Sequence, residues 1–141
     1  PLPYTVKGQD VSYSGLLTQA LHIYRSGNYN LEDICYSLIE TAYSMLVEVA
    51  ERALAHTGKL QLVLTGGVAR SKILVEKLKN MVEERGGTFS FVPEEFAGDN
   101  GAMIAYTGAL AFLHGVMVSV DKSHIQPYWR IDEVDIPWRQ G

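Results

Sequence analysis

Gly98-Asp99-Asn100-Gly101 joins an irregular segment opened by Pro93 to a run rich in small residues, Ala102, Ala105, Gly108 and Ala109. Asp99 stands where a helix should begin. Its carboxylate can cap that helix by accepting backbone N–H bonds. It can equally project into a cleft and ligate a metal. A mononuclear site needs three or four ligands. The chain holds no His-x-x-x-His and no second paired acid, and His22, His56, His114 and His124 are scattered. Any metal at Asp99 would therefore take its other ligands from elsewhere.

A second candidate lies upstream, where Leu60-Gln-Leu-Val-Leu-Thr-Gly-Gly-Val-Ala69 reads as a strand, a glycine pair and a helix start. Glycine at a strand end permits positive φ and removes the Cβ that would block a ligand. A following helix N-terminus attracts anions. The same residues also suit an ordinary tight strand-to-helix turn, being neither a Walker A sequence nor a G-x-G-x-x-G. Arg70, Lys72, Lys77 and Lys79 make the next helix basic on one side. Such cations commonly pair with acids such as Glu76 and Glu83. Only Arg70 and Lys72 fall in the first turn, where a phosphate could be met. Two such corners in one α/β unit would place Gly66, Gly67 and Asp99 on one sheet edge, where open α/β folds bind ligands.

The elements that must hold these residues follow from periodicity. Residues 4–13 read as extended around a Lys7-Gly8-Gln9-Asp10 turn. Ser14 is the expected cap of a helix over about 15–26, with Leu17, Ala20, Leu21 and Tyr24 on its apolar stripe and Gly27 ending it. Asn30 should cap a long helix whose stripe is Leu31, Ile34, Leu38, Ala42, Met45, Val49 and Ala53, closed by Gly58. Cys35 shares a face with Leu31, Leu38 and Ala42 at helical spacing and reads as a buried, inert thiol. Leu60–Leu64 is nearly all apolar, as for a strand covered on both faces. A helix over about 70–85 should bury Leu74, Leu78, Met81 and Val82 and stop at Gly86-Gly87. Thr88–Val92 is the second strand, about 99–113 the last helix, and 116–120 and 125–131 are extended-looking. Two strands alone make a marginal sheet, and the chain begins with Pro1. The expectation is one domain over 1–141, cut from a longer protein whose upstream part carries the missing strands.

The composition, 141 residues with 47% hydrophobic and 20% charged, fits a folded domain. No apolar run approaches a membrane span and no signal-peptide pattern opens the chain, so cytoplasmic residence and no membrane partner are expected. The net charge of −4 argues against stand-alone nucleic-acid binding, because phosphate contacts supply most of that affinity.

Five stretches carry a resemblance: Tyr4–Thr18, Ala53–Gly58, Thr65-Gly-Gly-Val-Ala69, Asp99–Gly108 and Ile131–Trp138. In order and spacing they resemble the universal tRNA threonylcarbamoyladenosine synthase family, in the archaeal form that is the catalytic subunit of the KEOPS complex. The resemblance implies an α/β fold of the actin-like, sugar-kinase ATPase type with two ribonuclease H-like lobes, this chain being most of the C-terminal lobe. It implies transfer of a threonylcarbamoyl group from threonylcarbamoyl-adenylate to N6 of the adenosine beside the tRNA anticodon. It implies one divalent metal, iron or zinc, with Asp99 at the position of its aspartate ligand and two histidine ligands in the N-terminal lobe. Gly66 and Gly67 match the loop lining the adenine-nucleotide pocket. The partners implied are the small kinase subunit and the small dimer-forming subunit of KEOPS, with tRNA as substrate.

One position departs from the family. After Gly-Gly-Val-Ala the family carries Ala-Asn-Asn or a similar run, whose first Asn contacts the nucleotide. Here the run is Arg70-Ser71-Lys72, so Ser71 occupies the Asn position. Two rival readings stay open: a scaffold paralogue that has lost its site, favoured by Ser71 and opposed by Asp99, and an ATP-dependent kinase lobe of the same superfold.

Overall fold

The computed structural model describes residues 1–98 and 101–139. The chain divides into two compact units, Pro1–Gly98 and Asp99–Gly141.

The first unit opens with a small antiparallel hairpin, β1 (Val6–Lys7) and β2 (Asp10–Val11), paired Val6 with Val11 and Lys7 with Asp10. Helix α1 (Ser14–Arg25) and the long helix α2 (Leu31–Thr57) pack on each other. Asn30 caps α2 as its side chain predicts, its Oδ1 accepting from the Asp33 N–H at 2.7 Å. Glu32 and Asp33 add negative charge in the first turn, where the helix dipole favours it. Gly58, at φ 66°, ends the helix in the left-handed region that glycine enters without strain.

A β–α–β unit follows: β3 (Gln61–Leu64), a single 3₁₀ turn (Gly67–Arg70), α3 (Lys72–Glu84) and β4 (Thr88–Phe91). The strands pair parallel, Gln61 with Thr88 through Leu64 with Phe91. The Val92 N–H extends the ladder to the Leu64 carbonyl at 3.0 Å. The core lies where α2 and α3 meet one face of this pair. Leu54, Leu74, Leu78, Met81 and Val82 form its buried centre, with Tyr43, Leu46, Val47, Ala50, Leu62, Leu64 and Phe89 packed against it. The turn into β4 is tightly built. The Gly87 N–H donates to Val82 O at 2.8 Å, and a Cβ on Gly87 would collide with the Leu60 carbonyl oxygen and sit 2.9 Å from Val82 Cγ1. Gly87 is therefore glycine because backbone and core converge on it.

In the second unit, α4 (Gly101–Leu113) ends at Gly115, whose φ of 77° lets the Val116 N–H reach back to Ala111 O at 2.9 Å. No residue of α4 is buried. The tail carries two short 3₁₀ turns, Val120–Lys122 and Ile131–Glu133.

Five expectations need correction. Ser14 is the first residue of α1 rather than its cap. The cap position is Tyr13, and the Ser14 hydroxyl lies 3.3 Å from that of Ser12. On α1 the buried residues are Leu16 and Ala20, whereas Leu17, Leu21 and Tyr24 are exposed, because the line that packs inward is rotated from the expected stripe and shares only Ala20 with it. Similarly, Ile34, Met45 and Leu54 are the buried residues of α2 and Leu31 is exposed. Cys35 is exposed too; it precedes the tightly packed middle of α2 and lies one residue off its buried line. β3 alternates, with Leu62 and Leu64 half-buried but Gln61 and Val63 exposed, since α2 and α3 supply cover on one face only. The extended-looking stretches 116–120 and 125–131, outside these five, join no strand ladder among the described residues. An isolated extended segment has no ladder to satisfy its backbone groups.

Candidate nucleotide-pocket turn

The glycine pair stands at the C-terminal end of β3. Gly66 has φ 97° and ψ 169°, a conformation reserved for glycine, and it turns the chain sharply out of the strand. The chain then tightens into the 3₁₀ turn, with Ala69 N–H on Gly66 O and Ser71 N–H on Val68 O, each at 3.0 Å. Ala69, 4% exposed, anchors this turn in the protein. Nothing lies within 4 Å of where a Cβ on Gly66 or Gly67 would be. The glycine pair thus presents bare backbone to open space.

Ser71 ends the turn and occupies the cap position of α3, with φ −73° and ψ 112°. Its carbonyl accepts from Val75 N–H at 3.0 Å, but its hydroxyl makes no capping hydrogen bond. Helix α3 thus begins two residues later than its sequence pattern suggests, because Gly66–Arg70 is spent on a separate turn. Gly66, Gly67 and Ser71 are brought together on one short turn at the C-terminal end of a parallel strand pair.

Arg70 behaves differently from a free first-turn cation. Its Nε and Nη2 both reach Glu94 Oε1, at 3.1 and 2.6 Å. The guanidinium holds the Glu94 carboxyl below the usual carboxylate range, with a smaller contribution from Lys72. Of the other cations, Lys79 pairs with Glu83 at 3.8 Å, as its spacing implies, while Lys77 pairs across to Glu40 on α2 at 2.6 Å. The importance of Glu94 was not drawn from the sequence. The signal was present: Pro93-Glu94-Glu95 follows the strand neighbouring the glycine-pair strand, so the two turns had to be adjacent. Arg70, Glu94, Lys72, Val75, Phe91 and Val92 are among the residues lining a groove of about 350 Å³ beside this turn.

Asp99, the candidate metal ligand, lies outside the described residues, as does Asn100. Among the described residues no group of three or more His, Cys, Asp or Glu could hold a metal ion. The four histidines are exposed, and His114 is engaged locally, its Nδ1 2.8 Å from Leu110 O and its ring 5.9 Å from that of Trp138. The described donor set does not complete a metal centre.

The family model of TsaD, tRNA N6-adenosine threonylcarbamoyltransferase, matches residues 1–106. The chain belongs to this family. Relatives named tRNA N6-adenosine threonylcarbamoyltransferase include one from Thermofilum pendens, 80% identical over 99% of this chain and 41% of its own length. Another, from Saccharolobus islandicus, is 59% identical over 98% of this chain and 41% of its own length. A third, from Aeropyrum pernix, is 53% identical over 97% of this chain and 39% of its own length. The chain thus spans about two fifths of the curated relatives it matches. The family match includes the Gly66–Ser71 turn and Asp99 within its range. Family membership and the small α/β architecture agree with the resemblance read from the sequence motifs. No helix among the described residues is long and apolar enough to cross a membrane.

Proposed function

We propose that this chain is most of the C-terminal, ribonuclease H-like lobe of an actin-like tRNA threonylcarbamoyltransferase. The carrying observation is a whole-chain match to proteins of that name, supported by a glycine turn with open space beside it. In the proposed reaction the N6 amine of adenosine 37 in tRNA attacks the carbamoyl carbon of threonylcarbamoyl-adenylate. An N–C bond forms, the bond to the adenylate phosphate oxygen breaks, AMP leaves and the amine loses a proton. The Gly66–Gly67 backbone would admit the adenylate closely, and Ser71 would offer its uncommitted hydroxyl. Positioning of the two reactants is this lobe's contribution, and orientation alone accounts for large rate factors. No general base is assigned to it. Asp99 would be one ligand of an iron or zinc ion whose remaining ligands lie outside this chain. Such a metal, when bound, would supply charge stabilisation. The small kinase and dimer-forming subunits of KEOPS are the proposed partners, and the cytoplasm the proposed compartment.

The test is reconstitution of the complete protein with tRNA, threonylcarbamoyl-adenylate and the partner subunits, scored by modified adenosine. Modification above the no-enzyme control is expected. Nucleotide hydrolysis with no modified tRNA would instead support the ATP-dependent kinase-like reading.

A further inference from the structure

The Gly66–Arg70 turn is open on the side its missing side chains would occupy: among the described residues nothing lies within 4 Å of where a Cβ on Gly66 or Gly67 would be. Two backbone bonds and the buried Ala69 fix its inner side. Arg70 then leaves the turn and spans to a second turn, Glu94–Phe96. That turn is also locally fixed: Phe96 N–H donates to Pro93 O at 2.9 Å, Ala97 N–H to Glu94 O at 3.3 Å, and Ala97 is 4% exposed. Each ion therefore stands beside or within a turn anchored by a buried alanine. The two turns follow neighbouring parallel strands, and the ion pair joins them along the groove lined by Val75, Phe91 and Val92. Two guanidinium nitrogens on one carboxylate oxygen orient the pair more narrowly than a single lysine contact would.

We propose that Arg70 and Glu94 form a latch that holds the Gly66–Ser71 turn in its ligand-receiving shape, making Glu94 a positioning residue for the nucleotide pocket. The proposal rests on the reading of that turn as a nucleotide-pocket wall. It gives Arg70 a different role from direct phosphate binding, because the guanidinium is already engaged. The latch is exposed, with the Arg70 and Glu94 side chains 56% and 72% accessible, so its effect is modest and weakens with salt.

The test uses the complete protein with Arg70→Ala, Glu94→Ala and the charge-swapped Arg70→Glu/Glu94→Arg pair. Amide hydrogen exchange over 66–71 and 94–97 is measured by mass spectrometry without ligand. Affinity for a non-hydrolysable adenine nucleotide is measured by calorimetry. Both single variants should speed exchange in both segments and weaken affinity about two- to fivefold, with the swapped pair recovering part of each loss. Unchanged exchange in the single variants overturns the latch. So does weakened affinity in Arg70→Ala alone, with Glu94→Ala equal to or tighter than the parent, which would make Arg70 a direct ligand contact. If the parent protein binds no adenine nucleotide, the pocket reading fails while the exchange result still judges the latch.

Discussion

Ser71 and Asp99 carry opposite kinds of information at the scale of single residues. Ser71 is placed by the structure: it follows the glycine turn, and its hydroxyl is not spent on capping α3. A serine keeps a donor and an acceptor but is shorter than Asn and lacks the amide. Ser71→Asn in the complete protein should therefore tighten adenine-nucleotide binding by one hydrogen bond, about 0.5–1.5 kcal/mol or roughly threefold to tenfold. Calorimetric titration reads this directly, and weakened binding would show that the pocket is built around serine. Asp99 is argued from its type and its match. On the proposed reading, Asp99→Ala in the complete protein should lower metal content and abolish transfer. Elemental analysis decides: full metal occupancy in the variant rules Asp99 out as a ligand.

Two junctions decide the architecture of the elements. The α3–β4 turn has no room for a side chain at Gly87, because the Leu60 carbonyl and Val82 already fill that space. Gly87→Ala should destabilise the protein by about 1–3 kcal/mol as an overpacked site, read as a lowered midpoint in denaturant. Gly66 is constrained differently: the space beside it is open but its φ is 97°, so its replacement strains the backbone without a clash. The second junction ties the hairpin to α2. Tyr4 Oη donates to Glu48 Oε2 at 2.6 Å, Glu48 pairs with Arg52, and Arg52 Nη1 donates to Gly8 O at 3.1 Å. Desolvation first, then the bond to Glu48, push the Tyr4 hydroxyl from 10.0 up to about 12. The folded state thus favours the neutral phenol. Its stabilising contribution is complete below pH 10 and fades as pH rises toward about 12. An ultraviolet absorbance titration should show a late-ionising tyrosine that Tyr4→Phe removes.

Apolar surface left uncovered is the main feature of the whole molecule. Val63 and Phe91 on the sheet, Leu17 and Leu21 on α1, and Ile104, Phe112 and Leu113 on α4 are all exposed. In the proposed reading the facing lobe and the remaining metal ligands lie outside this chain. The chain on its own should therefore show no transferase activity when mixed with tRNA, threonylcarbamoyl-adenylate and the KEOPS proteins. Modified adenosine above the no-enzyme control would sink this prediction.

Local chemistry made much of this legible in the sequence. Asn30 had a capping side chain, Gly58 and Gly86-Gly87 marked helix ends, and the apolar spacing of α3 singled out Leu74, Leu78, Met81 and Val82, all of which are buried. The glycine turn after β3 was visible for the same reason, since only glycine accepts the φ of Gly66. Burial depends instead on which neighbours are present. The same apolar pattern that predicts cover for Val63, Leu17 and Cys35 meets no covering element there, because cover is a property of packing. The Arg70–Glu94 pair spans 24 positions in sequence. Parallel pairing of β3 with β4 brings the turns that follow them side by side, and with them two opposite charges. Residue types alone offered Arg70 several acids; the register of two strands decided for Glu94.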